Sequence, residues 1–140
     1  MIPLHEMETR SFGEDMQELT TSNEDYLEAI VMLGGASVAV RSIDIAEKMG
    51  VSKTSVSKAI AVLKDRGYIE QPHYGSIELT PEGLAYGNEI YARHKALTRF
   101  LEKAVGLEHD VAEGQACMME HAIDDASFEK WMTFIDSLDL

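Results

Sequence analysis

The chain has 140 residues, enough for one compact domain or a small domain with a helical extension, and its 45% apolar content is ordinary for a globular protein. No apolar run approaches the roughly 20 residues that span a bilayer, and residues 1–20 lack the basic flank and apolar block of a signal peptide, so a cytoplasmic protein with no membrane partner is expected. The net charge of −13 argues at first against a nucleic-acid partner, and the single cysteine, Cys117, excludes an intrachain disulfide and leaves one thiol for metal or redox chemistry.

The charge is unevenly spread. Residues 38–75 carry six basic residues (Arg41, Lys48, Lys53, Lys58, Lys64, Arg66) against four acidic ones (Asp44, Glu47, Asp65, Glu70), a local +2 that leaves −15 on the remainder. A modestly basic segment is embedded in an acidic chain, and the excess acid elsewhere suits either a solvated surface or cation binding.

Residues 1–20 show no clear period and are expected to form a mobile arm or a loose helical extension, with Ser11-Phe12-Gly13 interrupting them. Ser22 is a predicted N-cap for a helix over 23–34, whose apolar contacts are Tyr26, Leu27, Ile30, Val31 and Leu33 and which Gly34-Gly35 ends. Asp25 and Glu28 stand at i, i+3 on one face of it. The helix macrodipole favours acids near a helix N-terminus, so capping alone would account for them.

Residues 37–41 form a short β-favouring run. Ser42 is then expected to cap a helix over Ile43 to Met49, stopped by Gly50, and Ser52 to cap a second helix that runs to Arg66 and closes at Gly67. Val56, Ala59, Ile60, Val62 and Leu63 keep a helical period, while Lys53, Thr54, Ser55, Ser57 and Lys58 make the other face polar and basic. Two short helices joined by Gly-Val-Ser form a helix-turn-helix pattern. Tyr68–Glu70 and Ser76–Leu79 alternate as strands around turn signals at 71–75, which adds a β-hairpin and completes a winged helix.

Thr80-Pro81 opens a long predicted helix to Val105, ended by Gly106, with Ile90, His94, Leu97 and Leu101 on one face. Helices over 108–123 and 125–138 follow. The last carries Phe128, Trp131, Met132, Phe134, Ile135 and Leu138, more apolar surface than a solvated helix needs, which points to a core or a dimer interface. The expected fold is mainly α with a small β-hairpin: an arm over 1–20, a winged helix-turn-helix DNA-binding domain over 21–80, and a helical metal-binding and dimerisation domain over 81–140.

The helix over 108–123 holds the stripe with most chemistry. Cys117, Glu120 and His121 are spaced i, i+3, i+4, and Glu113 lies one turn before Cys117, so a thiol, two carboxylates and an imidazole share one face. The plain alternative is a small buried cysteine with polar residues at its rim. Together with Asp25, Glu28 and His94, three helices could supply mixed O, N and S donors, more than a tetrahedral zinc centre uses and suited to one or two ions such as Mn²⁺ or Fe²⁺. A thiolate adds softness that favours Fe²⁺, Co²⁺ or Zn²⁺.

The order Ser22-Asn23-Glu24-Asp25-Tyr26-Leu27-Glu28, the winged helix, Arg93-His94 and Cys117-Met118-Met119-Glu120-His121 resembles the metal-dependent repressors of the diphtheria toxin repressor and manganese transport regulator (DtxR/MntR) family, over residues 21–138. The resemblance implies a homodimeric transcriptional repressor with a divalent metal as co-repressor, acting on genes of metal transport or storage. Asp25, Glu28, His94, Glu120 and His121 match the binuclear site of the manganese branch. Cys117 stands where that branch has a glutamate and where the iron branch has a cysteine, whereas Asp25 stands where the iron branch has a methionine. Thr98 and Glu113 depart from the ancillary site of the iron branch, and no SH3-like domain follows within the 140 residues. The resemblance is therefore to the short manganese-type form with a hybrid site.

For the operator, Ser52, Lys53, Thr54, Ser55, Ser57 and Lys58 are the expected contacts of the second helix in the major groove of double-stranded DNA. The serines and threonine would bind phosphate, and Lys58 could reach a base edge. Arg41 and the wing residues His73 and Tyr74 are expected phosphate contacts. Two other readings use the same residues: a winged-helix regulator sensing redox state through Cys117, and a small metalloenzyme, for which the chain offers no separate general base or substrate pocket.

Overall fold

The computed structural model describes residues 19–72 and 75–140, so the expected arm over 1–20 lies, but for its last two residues, outside the described residues. The elements are α1 (Thr21–Met32), α2 (Ser42–Met49), α3 (Lys53–Asp65), β1 (Ile69–Glu70), β2 (Glu78–Leu79), α4 (Pro81–Phe100), a π-helical turn (Leu101–Val105), α5 (His109–Ala122) and α6 (Asp125–Ser137). This is the mainly helical architecture with one small hairpin that the sequence pattern predicts. Two compact units divide inside α4: Leu19–Tyr91, and Ala92–Leu140.

In the first unit, α1 starts earlier than expected. Thr20, not Ser22, is the cap: its Oγ1 accepts the Asn23 N–H at 3.2 Å. Both residues are competent caps. Leu19, buried just before, donates its N–H to the Tyr86 hydroxyl at 3.2 Å and so fixes where the chain enters the helix. In α2 the cap position falls to Arg41, whose N–H is taken up by the Asp44 carboxylate at 3.1 Å, and Ser42 becomes the first helical residue. Ser52 caps α3 as predicted, accepting the Ser55 N–H at 3.1 Å. Val56, Ala59, Ile60 and Leu63 are the buried stripe of α3.

The hairpin pairs Ile69 with Leu79 and Glu70 with Glu78. The β-favouring run at 37–41 contributes one bridge only. Val40 and Ile77 exchange both backbone hydrogen bonds, at 3.0 and 2.8 Å. Thr80 joins hairpin to helix: its hydroxyl donates to the Gly67 carbonyl at 2.7 Å and accepts the Gly83 N–H at 3.0 Å. A Cβ at Gly83 would sit 1.9 Å from the Tyr68 carbonyl oxygen, and one at Gly87 2.5 Å from a Val31 methyl. Only glycine permits α4 to lie this close to the hairpin and α1. The first half of α4 therefore belongs to the winged-helix unit, whereas the sequence division at 80/81 falls at the start of the helix.

In the second unit, α4 loosens into the π-helical turn before Gly106, whose φ of 88° ends it. Leu97, Leu101, Ala112, Ala116, Phe128 and Ile135 form the core, with Phe100 and Trp131 packed against it. The rings of Phe100 and Trp131 meet edge to face at 5.9 Å, an arrangement that adds to their area burial. Asp124 caps α6 by accepting the Ser127 N–H at 2.7 Å, which holds its carboxyl below the usual aspartate value. Arg93, buried, pairs with Asp125, donates to the Ile123 carbonyl at 3.3 Å and stacks 4.5 Å over the Phe128 ring, tying α4 to α6.

Candidate functional site

Two groups of residues carry chemistry. The first is the polar side of α3. Ser52, Lys53, Thr54, Ser55, Ser57 and Lys58 are all exposed, as is Arg41 at the start of α2. Ser52 is already engaged, since its hydroxyl caps the helix and donates to Ser55 Oγ at 3.0 Å. At 3.6 residues per turn, Thr54 and Lys58 fall on one stripe and Lys53 and Ser57 on the next. His73 and Tyr74, the expected wing contacts, lie outside the described residues.

The second group is the candidate metal centre. In the winged-helix unit, Asp25 and Glu28 lie on one face of α1, Asp25 half-buried and Glu28 buried. Beside them is an acid the sequence reading passed over. Glu24 is 1% exposed and accepts a 2.7 Å hydrogen bond from the Tyr86 hydroxyl. Burial, and the Glu24 carboxylate next to it, raise the Tyr86 pKa. The signal was present in the sequence, because Glu24 shares a helical stripe with Leu27 and Val31.

In the other unit, α4 supplies His94 and α5 supplies Glu113, Cys117, Glu120 and His121. Glu120 is 1% exposed. Its Oε1 lies 3.5 Å from His94 Nδ1 and 3.8 Å from His121 Nε2. Donor atoms of Cys117, Glu120 and His121 all lie within 4.8 Å of one another. Glu113, more open to solvent, has its carboxylate 3.7 Å from His94 Nε2 and 3.6 Å from His109 Nε2. His109 in turn pairs with Glu102, and this hydrogen bond raises its pKa. Neither Glu102 nor His109 was read as part of the site.

The donor set fits a divalent cation. A fully buried carboxylate is costly unless positive charge compensates it. Separations of 3.5 and 3.8 Å are loose for hydrogen bonds and stand at or slightly beyond the roughly 2.8–3.6 Å edge of an octahedral or tetrahedral shell built from bonds of about 2.0–2.2 Å, so a shift of a few tenths of an ångström would bring these donors onto one ion. Carboxylate, imidazole and thiol are all ligands of first-row transition ions.

The chain matches two family models. Residues 18–77 match the iron dependent repressor N-terminal DNA binding domain, and residues 80–139 match the iron dependent repressor metal binding and dimerisation domain. The HTH-type transcriptional regulator MntR of Lysinibacillus sphaericus is 31% identical over 79% of this chain and 79% of its own length. The chain belongs to the iron-dependent repressor (DtxR/MntR) family. Among relatives of this family, the uncharacterized HTH-type transcriptional regulator MJ0568 of Methanocaldococcus jannaschii is 28% identical over 84% of this chain and 95% of its own. The diphtheria toxin repressor of Corynebacterium efficiens is 27% identical over 88% of this chain, which spans only 54% of that protein. A solved manganese-dependent transcriptional repressor in complex with manganese superposes with a TM-score of 0.69 at 29% identity, over 82% of this chain and 51% of that one. As a member of the iron-dependent repressor family, the chain consists of a DNA-binding domain followed by a metal-binding and dimerisation domain, and its Glu120 cluster lies in the second.

Proposed function

We propose that this protein is a metal-dependent transcriptional repressor, a homodimer that binds an operator in double-stranded DNA when a divalent ion, Mn²⁺ or Fe²⁺, is bound. The observation that carries the reading is Glu120: a carboxylate with 1% exposure, flanked by two imidazoles and a thiol, on a family domain described as metal binding. Glu120, His94, His121 and Cys117 are the proposed core of the site, with Asp25 and Glu28 of α1 as further carboxylate ligands and Glu113 as an outer one. A bound divalent cation would place positive charge beside the buried Glu120 carboxylate. Carboxylate oxygens suit Mn²⁺, and a manganese-dependent relative is 29% identical. The Cys117 thiolate adds preference for Fe²⁺, with Co²⁺ and Zn²⁺ also accepted. Val111, Met118 and Phe134, exposed apolar side chains of the dimerisation domain, support a self-association face.

The test is a DNA-binding titration with Mn²⁺, Fe²⁺, Co²⁺ and Zn²⁺ on the wild type and on Cys117→Glu. The substitution is expected to move the order of effectiveness towards Mn²⁺. An unchanged order would remove Cys117 from the ligand set.

A further inference from the structure

Glu102 and His109 stand outside the proposed ligand set and meet across the turn that joins α4 to α5. Glu102 belongs to the π-helical turn, and His109 is the first residue of α5. Glu102 Oε1 holds His109 Nδ1, and the other ring nitrogen faces Glu113, one turn along α5, with Nε2 3.6 Å from Glu113 Oε1. The second oxygen, Glu113 Oε2, lies 3.7 Å from His94 Nε2, and His94 Nδ1 lies 3.5 Å from Glu120 Oε1. Each contact of Glu113, His109 and His94 uses a different atom. Carboxylate and imidazole therefore alternate in one run from the exposed His109 to the buried Glu120. Glu113 sits in the middle of it, met by one imidazole from outside and by another from inside. Helix stability does not account for the outer pair. Glu102 through its hydrogen bond, and then Glu113 and Asp110, raise the His109 pKa, although the macrodipole favours acids rather than cations in the first turn of a helix. With 63% of the His109 side chain exposed, the ion pair itself adds little to the fold. What it restricts is the Glu113 carboxylate, half-exposed and otherwise free to change rotamer.

We propose that Glu102 and His109 are positioning residues of the metal centre: they hold Glu113 by one oxygen and so present the other to a divalent ion beside His94. The inference rests on the reading of Glu113 as an outer metal ligand. Ligating carboxylates and imidazoles are oriented by partners one contact further out, and losing such a partner costs about 10- to 100-fold in metal affinity. Here that outer contact comes from the turn between α4 and α5. An arriving ion meets a carboxylate whose rotamer is already set, so less side-chain freedom is lost on binding. The sign of the effect separates positioning from simple electrostatics. Removing a cationic ring near a cation site strengthens binding if only charge matters, whereas removing a support for Glu113 weakens it.

The experiment measures affinity for Mn²⁺ by competition with a chelating dye, and for Co²⁺ by its visible absorption, on the wild type, His109→Ala, His109→Gln, Glu102→Ala, Glu113→Gln and the double variant His109→Ala with Glu113→Gln. Thermal unfolding of the metal-free proteins is measured alongside and is expected to be nearly the same for all. His109→Ala is expected to weaken binding of both ions roughly ten-fold, and Glu102→Ala to weaken it less. His109→Gln, whose amide N–H stands in for Nε2 towards Glu113, is expected to recover most of the loss. In the Glu113→Gln background, His109→Ala is expected to cost nothing further, because it acts only through that carboxylate. Unchanged or tighter binding by His109→Ala, or an equal loss in both backgrounds, would overturn the positioning role. A wild type that binds neither ion would instead overturn the metal reading itself, and wild-type affinity in Glu113→Gln would remove Glu113 from the ligand set and the proposal with it.

Discussion

Glu120 shows how one residue takes its meaning from its neighbours. Its spacing from Cys117 and His121 was visible in the sequence as i, i+3, i+4, and His94 was marked as a histidine on an apolar stripe. What the sequence could not contain is the depth of burial, 1% exposure, and the approach of His94 Nδ1 to 3.5 Å, since both depend on how α4 packs on α5. Glu102 and His109 escaped notice for a related reason. They pair across the turn at Gly106, where no period relates one residue to the next. At this scale the proposal predicts linkage between metal and stability. With Mn²⁺ or Fe²⁺ at about 100 times its Kd, the wild type gains about 2.7 kcal/mol against unfolding. Glu120→Gln, which keeps the shape and removes the charge, is expected to lose most of that gain. Thermal unfolding with and without metal measures it, and an equal metal-induced shift in both proteins would place the ion elsewhere.

Among the elements, the winged helix was legible because each of its signals is local: Ser52 caps α3, a glycine ends α2, and the hairpin alternates. Boundaries were less legible where two residues could do the same work. Thr20 and Ser22 both fit a cap, and the choice was made by Leu19 docking on Tyr86, a contact 67 residues away in the chain. The strength of the α4 junction was likewise hidden, because Gly83 and Gly87 in a helical run read only as weak helix formers. Their role is close approach to Tyr68 and to α1. Gly83→Ala is therefore predicted to destabilise the protein, although alanine is the better helix former. A Cβ 1.9 Å from a backbone carbonyl oxygen forces α4 away from the hairpin, at a cost of about 1–3 kcal/mol. Chemical denaturation measures the loss, and a variant as stable as the wild type or more so would show that the junction gives way freely.

Across the whole molecule, the distribution of charge links the two domains. An excess of acid lies outside the basic segment 38–75, and part of that acid forms the proposed ligand set, so an occupied site both compensates buried carboxylates and reduces repulsion of the duplex. Family membership accounts for the pairing of a DNA-binding with a metal-binding and dimerisation domain. The central claim is that ligation at Glu120 controls DNA binding. The most direct test measures affinity for a duplex selected by the wild type, with Mn²⁺ or Fe²⁺ and with a chelator, for the wild type and Glu120→Gln. The account predicts tight binding only for the wild type with metal, abolished by the chelator and absent from the variant. Wild-type affinity that ignores the chelator, or a variant that responds to metal as the wild type does, would contradict it.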